Sequence, residues 1–381
     1  MKIIIAPDSF KESLPAHKVA SAIAKGVKQA TPNAKIHCVP MADGGEGTVL
    51  AIAQSTRCRL IQSTVQNAMG QSVTATWAMI NNETAIIEMA SAAGLEQIQP
   101  QNRDVLCANT FGVGQLILEA LNQQARHIIL GLGGSATNDG GAGMAAALGI
   151  QFMGKNNTLL KPHPKEMVRL EKIDLSGMDQ RLSQISFTLA SDVNNPLCGP
   201  HGAAAIFGPQ KGATPEQVLF LDQVMANYAD ITAATLGKDM RHEQGAGAAG
   251  GLGFACLSFL KAQFRPGVEI VAEFAGLAQL IENADLVITG EGKLDEQTLQ
   301  GKTLAGIAAL AQQHNVPVIA IAGTLGNNYQ ALYNKGITAA FSLCNGPMSL
   351  QEAMQNASCL LQDRSRDIMQ VFLASLSDKG I

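Results

Sequence analysis

The chain has no cluster of positive charge: 27 Lys and Arg are outnumbered by 31 Asp and Glu, and the formal net charge is −4. Affinity for a nucleic-acid backbone comes from grouped cations, so nucleic acid is excluded as a partner. There is no C-x-x-C pair among the seven cysteines, Cys38, Cys58, Cys107, Cys198, Cys256, Cys344 and Cys359. Scattered and odd in number, they fit reduced thiols acting mostly as core fillers. The histidines show no metal-ligand spacing, and no Ser-His-Asp or Cys-His order stands out, which argues against zinc and hydrolase chemistry. No apolar run reaches the length of a membrane span, about 18 residues or more. The longest uncharged stretch, Gln244 to Leu260, opens on Gly and Ala and reads as a loop leading into a buried helix. The N-terminal Met1-Lys2-Ile3-Ile4-Ile5-Ala6-Pro7-Asp8 has one apolar triplet, far short of a secretory core, and reads as a first strand. A cytoplasmic protein acting on a small molecule, with no membrane partner, is expected; a homo-oligomer is left open.

With 381 residues, 46% hydrophobic and 15% charged, the chain can bury a core large enough for two domains. Its most informative feature is a set of acids at strand ends. Ala6-Pro7-Asp8-Ser9-Phe10-Lys11-Glu12-Ser13, Met41-Ala42-Asp43-Gly44-Gly45-Glu46-Gly47-Thr48 and Thr289-Gly290-Glu291-Gly292-Lys293-Leu294-Asp295 each follow a short apolar run. Ligands of open α/β sheets bind at the carboxyl ends of strands, so acids beside glycines there suggest a magnesium and phosphate site.

The opening residues alternate in the α/β manner: a strand over 2–6, a helix over 16–30 with Val19, Ala20, Ile23, Ala24 and Val27 on one face, and a strand over 36–40. From about Arg59 the pattern changes to short strands over 60–66, 72–80 and 84–89, joined by turns that suit antiparallel pairs. A helix over 112–122 and a buried strand over 127–130 come next. The α/β rhythm resumes near Ala284, with strands over 286–289, 317–321 and 339–343 and helices over 303–314 and 327–335. The expected fold is α/β: a Rossmann-like parallel-sheet domain from residues 1–58 and 284–381, a mixed α/β domain from 59–283 inserted into it, and the site in the cleft between them.

Several patterns fail on context. Gly301-Lys302-Thr303 is not a Walker A, because Glu296 stands where that loop needs its first glycine. Gly245-Ala246-Gly247-Ala248-Ala249-Gly250 follows no strand. Gly131-Leu132-Gly133-Gly134-Ser135-Ala136 does follow one, but Gln151 to Lys165 holds no acid for a ribose, which disfavours NAD. What remains is a glycine loop whose amides approach an anion at a helix N-terminus, with a tight turn capped by Asn138 and Asp139 as the plain alternative. Asp8 and Ser9 have an ordinary reading as a helix cap. Lys11 in the same turn would sit against the helix dipole, which a bound anion would offset. Ser191-Asp192-Val193-Asn194-Asn195-Pro196 puts another acid at a strand end. Lys211 and Arg265 each put a cation in a turn, where either can grip a carboxylate.

Taken together, the segments APDSFKES, MADGGEGT, GLGGSATNDGGAGM, SDVNNPLCGP, FGPQKGA, GAGAAGGLG, FRPG and TGEGKLDEQT, in order along nearly the whole chain, resemble the bacterial glycerate kinase family of glycerate and aldaric-acid catabolism. The resemblance implies ATP-dependent phosphorylation of D-glycerate, generally to 2-phosphoglycerate, by two α/β domains. Phosphoryl transfer needs positioning and charge neutralisation. On that basis Asp192, Lys11 and Asp8 are expected to be catalytic, with Asp192 accepting the substrate hydroxyl proton. Ser9, Gly131, Gly133, Gly134, Ser135, Glu291 and Gly292 are expected at ATP, and Asn194, Lys211 and Arg265 at glycerate. Asp43, Glu46 and Asp295 are expected at Mg2+. A hinged metabolite sensor without catalysis is the competing class, and magnesium-dependent ATP binding separates the two.

Overall fold

The computed structural model describes residues 1–295, 298 and 302–377. Glu296 and Gln297 of TGEGKLDEQT, and Gly301 of the failed P-loop match, lie outside the described residues. The chain divides into two compact units, Met1–Asp43 with Leu50–Thr56 and Val268–Ile381, and Gly44–Val49 with Arg57–Gly267. Strands run in chain order as β1 (Lys2–Ile5), β2 (Lys35–Cys38), β3 (Cys58–Gln66), β4 (Ser72–Ile80), β5 (Thr84–Glu88), β6 (His127–Gly131), β7 (Gln151–Met153), β8 (Lys172–Asp174), β9 (Ser186–Ala190), β10 (Gln263–Arg265), β11 (Leu286–Leu294), β12 (Val318–Leu325) and β13 (Ala339–Ser342).

The first unit is built on a five-stranded sheet in the order β13-β12-β11-β1-β2, parallel throughout. Its central strands are apolar without alternation, Ile3-Ile4-Ile5 and Leu286-Val287-Ile288 being fully buried, as strands covered on both faces must be. The helix Ala16–Ala30 turns Val19, Ala20, Ile23 and Val27 inward. It packs on the helix Leu350–Ser377 so closely that a Cβ on Gly26 would stand 2.0 Å from the Gln362 carbonyl. Several boundaries differ from the sequence reading, among them β12, which runs on to Leu325 where a strand ending at Ile321 is expected. β11 runs on to Leu294 where a strand ending at Thr289 is expected, because β12 pairs with it through Leu294↔Leu325. The helix expected over 327–335 is a 3-10 turn, Tyr329–Lys335, closed by Gly336 in the left-handed region.

The second unit carries a six-stranded sheet in the order β10-β9-β6-β5-β4-β3. β3, β4 and β5 pair antiparallel as their turns require, and β5, β6, β9 and β10 pair parallel. β7 and β8 form a separate antiparallel pair. Trp77 is fully buried and its indole N–H donates to Ser63 Oγ at 3.0 Å. Tyr228 meets Phe152 and Phe254 edge to face, with centroids 5.6 and 5.4 Å away. Among the described residues, no helix is long and apolar enough to cross a membrane.

Replacing Gly26 with Ala should destabilise the protein by about 3 kcal/mol through overpacking of this helix pair. Urea unfolding followed by circular dichroism measures it, and an unchanged midpoint would mean the two helices part readily.

Candidate active site

In the first unit the chain places β2 on one side of β1 and resumes at β11 on the other, so the strand order reverses between β1 and β11. Ligands of open α/β sheets sit outside the carboxyl ends of strands at such a reversal. Asp8 and Glu291 lie there: the Asp8 amide donates to the Gly290 carbonyl at 2.8 Å, and the Met41 amide to Pro7 at 2.8 Å, which carries Asp43 to the same edge. Burial first, and then the charge of Asp43, push the Asp8 carboxyl up to about 6 against the hydrogen bond it accepts from its neighbour's amide, Ser9 N, at 2.6 Å. Glu291 is pushed up to about 7 by burial, with Asp8 and Asp295 adding to it, while Thr298 Oγ1, donating at 2.7 Å, and the Lys11 charge oppose it. Lys293 holds Asp295 at 2.8 Å.

The helix-cap reading of Asp8 and Ser9 does not hold. The helix begins at Ala16 behind Pro15, with no side-chain cap. Phe10 to Leu14 instead forms a tight turn, closed by Phe10 N to Leu14 O at 2.8 Å and Leu14 N to Phe10 O at 2.9 Å, with Glu12 at φ 61°. Lys11 is therefore an exposed cation on a stiff turn and not in the helix's first turn, so the dipole argument for it falls away.

In the second unit, register assembles a row. Glu88, Gly131, Ala190 and Arg265 are paired side by side at the carboxyl ends of β5, β6, β9 and β10. Gly44 and Gly45 seat on this row: a Cβ on Gly44 would stand 2.4 Å from the Ala190 carbonyl, and one on Gly133 2.3 Å from Gly45 Cα. Glu46, largely exposed, is pushed up by partial desolvation of its carboxyl and by its neighbour Glu96. Asp192 is half-buried two residues beyond the row. Its neighbour Ser191 donates its amide to the Arg265 carbonyl at 3.2 Å and receives the Val193 amide on its Oγ at 3.2 Å. Asn194 and Arg265 are exposed on the same rim.

The glycine loop departs from expectation in one respect. The next helix after Ser135, Ala142–Ala147, begins seven residues on, and the amides that open this helix already serve Asp139. That carboxylate is buried and accepts from Gly141 N at 3.1 Å, Gly143 N at 2.9 Å, and Thr110 N and Oγ1 at 2.8 Å each. No anion can use the same donors. The loop's own offer is the Gly134 and Ser135 amides, which donate to no acceptor among the described residues, while the flanking Leu132 and Ala136 amides bond Ala190 and Ala93. Asn138 is buried but caps nothing. Lys211, which the sequence places in a surface turn, is 2% exposed and donates to Ser135 Oγ at 2.7 Å and to the Thr137 carbonyl at 2.6 Å.

Four further residues of these groups escape the sequence reading: Glu88, Glu96, Thr110 and Asp139 as a buried acceptor. Glu88 carries a signal that could have found it, since it is one more acid at a strand end. Its carboxyl is pushed up to about 7 by burial although it accepts backbone amides at the start of the helix Thr48–Ser55, Val49 N at 2.6 Å among them.

The model of the glycerate kinase family matches residues 3–373. The chain is 46% identical over 370 residues, 97% of each chain, to a glycerate kinase of Halalkalibacterium halodurans. It is 42% identical, over the whole of both chains, to the glycerate 2-kinase of Escherichia coli K12. A solved structure of a putative glycerate kinase 2 from Salmonella typhimurium LT2 superposes with a TM-score of 0.87 at 43% identity, covering 99% of each chain.

The raised carboxyls set a pH dependence. Asp8 near 6 and Glu291 and Glu88 near 7 hold protons that the unfolded chain, with carboxyls near 4, has already lost. Their contribution to stability is full below pH 4 and is lost as the pH rises through 6 to 7. The ligand-free protein should therefore melt lower at pH 8 than at pH 5. Glu291→Gln should remove one share of that slope, raising Tm at pH 8 by about 3 °C and leaving it unchanged at pH 5. Parallel slopes for variant and wild type would show that Glu291 does not titrate in this window.

Proposed function

The chain belongs to the glycerate kinase family, and from that premise we propose that it transfers the γ-phosphoryl group of ATP to the 2-hydroxyl of D-glycerate, releasing 2-phosphoglycerate and ADP. The observation that carries this reading is the end-to-end match with glycerate kinases, over residues 3–373. The substrate oxygen attacks the γ-phosphorus, the bond to the ADP oxygen breaks, and the hydroxyl proton goes to a base.

Each group of strand-end residues takes a part in this. Asp192, half-buried on the rim of the row, accepts the proton, and Arg265 and Asn194 on the same rim hold the glycerate carboxylate and free hydroxyl. The Gly134 and Ser135 amides, on a loop shaped by Gly131 and Gly133, receive phosphate oxygens. Lys11, exposed on its stiff turn, is the cation for the transferred group, and Ser9, Glu291 and Gly292 meet the nucleotide. Magnesium usually takes one or two carboxylates beside phosphate oxygens and waters. Asp8, whose ionisation the Asp43 charge disfavours, and Asp43, Asp295 and Glu46 are acids of the kind such an ion requires. Among the described residues, no three or more His, Cys, Asp or Glu side chains gather closely enough to hold a metal by themselves. When bound with ATP, the ion would neutralise charge on the β- and γ-phosphate oxygens. With the ion bound, the Asp8 and Glu291 carboxyls would release their protons to solvent.

Phosphorus NMR of the protein with D-glycerate, ATP and magnesium tests the reaction. A phosphomonoester signal at 2-phosphoglycerate is expected; a 3-phosphoglycerate signal would keep the kinase and overturn the pose, and glycerate binding without transfer would indicate a sensor. Asp192→Asn should lower kcat about 100-fold or more with the KM for ATP unchanged. Unchanged turnover would remove Asp192 from the mechanism.

A further inference from the structure

We propose that Lys211 is a positioning residue: its buried ammonium latches the Gly131–Thr137 loop from beneath and so keeps the Gly134 and Ser135 amides turned out for a phosphate. The role rests on the reading of that loop as the phosphate cradle.

Lysine is almost never fully buried unless its charge is paired, yet Lys211 is 2% exposed. Among the described residues no carboxylate makes an ion pair with it. Its hydrogen-bond acceptors are Ser135 Oγ at 2.7 Å and the Thr137 carbonyl at 2.6 Å, both on one loop. The support beneath it is rigid. Pro209–Lys211 is a 3-10 turn ended by Gly212 at φ 93°, and four residues later the helix Pro215–Leu236 starts on a capping box of Thr214 and Gln217.

The loop has few other polar ties. Thr137 Oγ1 and both amide atoms of Asn138 are buried without a partner, so these side chains hold nothing in place. Strand-like contacts, Leu95 N to Gly134 O at 2.8 Å and Ala136 N to Ala93 O at 2.9 Å, fix one side of the loop, and Asp139 fixes the segment C-terminal to it. The Leu132 and Gly133 amides tie the start of the loop to Ala190 and Gly44 at 3.2 and 3.4 Å, and Lys211 is the side chain that holds its middle, at Ser135 and Thr137. Burial lowers the Lys211 pKa to about 7, with the Asp139 charge opposing, and the nitrogen donates to the two loop acceptors whether or not it is protonated. Glycines make the latch necessary: Gly134 lies at φ 74°, and a loop with this much backbone freedom orders two amides only if something holds it.

The test pairs hydrogen exchange with kinetics on the full chain. In Lys211→Met, amides 131–141 of the ligand-free protein should exchange about tenfold faster, while β5 and β9 keep wild-type protection. The value of kcat/KM for ATP should fall about 100-fold, and the Kd for glycerate should be unchanged. Ser135→Ala, which removes one of the two bonds and nothing from the core, should show the same pattern at a few-fold size, and it decides the matter if Lys211→Met does not fold. Activity lost with exchange unchanged in both variants would put Lys211 on the ligand itself and overturn the latch. A fall in kcat with both KM values unchanged would mean only a smaller folded fraction, and would overturn it too. A wild type that transfers no phosphoryl to glycerate would sink the kinase reading, while the exchange data would still decide whether Lys211 orders the loop.

Discussion

Asp139 is a carboxylate without access to water, and everything around the glycine loop is arranged to satisfy it. A buried anion is tolerated only when hydrogen bonds replace its hydration. Asp139 accepts four, two from Thr110 and two from the amides of Gly141 and Gly143. These bonds join the start of the helix Phe111–Asn122 to that of Ala142–Ala147. Such close approach explains the glycines: a Cβ on Gly143 would stand 2.5 Å from the Thr110 amide, and one on Gly141 2.4 Å from Ala255. Losing Asp139 would thus release two helix starts at once. Lys211 lies near enough for the two charges to sense each other, so the loop is held from one end by an anion and from beneath by a cation.

This division explains why the sequence is informative about the fold but blunt about the site. Periodicity marks the helix Ala16–Ala30 and the strands β4 and β5 because an apolar face must be buried along the whole of each element. Acids at strand ends are legible for the same reason, as a sudden polar residue after an apolar run. The sequence offers the segment from Gly131 either as an anion-binding loop or as a tight turn capped by Asn138 and Asp139, whereas in the structure its first part offers amides and the part up to Gly143 serves the Asp139 carboxylate. Composition cannot separate the two, because both uses need glycine. Lys211 is misleading on similar grounds: a lysine between Pro209 and Gly212 looks like a surface turn, and only tertiary packing reveals the acceptors beneath the loop. Glu88 is easily missed because Met89 and Ala90 continue its apolar run.

Satisfaction of charge offers a physical criterion for sorting these acids. Asp139 has four donors and Glu88 has backbone amides at a helix start, so each completes the scaffold with no further partner. Asp8 accepts its neighbour's amide, and Glu291 accepts one hydroxyl, Thr298 Oγ1. Burial drives Glu88 to about 7 as well, so what sets Asp8, at about 6, and Glu291, at about 7, apart is how few donors they accept beside further acids. A protein gains nothing in stability from that arrangement, since the charged forms repel and are poorly hydrated. An incoming cation reverses the sign: it supplies the missing counter-charge, so the free energy withheld from folding appears as affinity. Acids that structure alone requires are saturated with donors, and those left short of them at the strand-order reversal are the ones a ligand can complete.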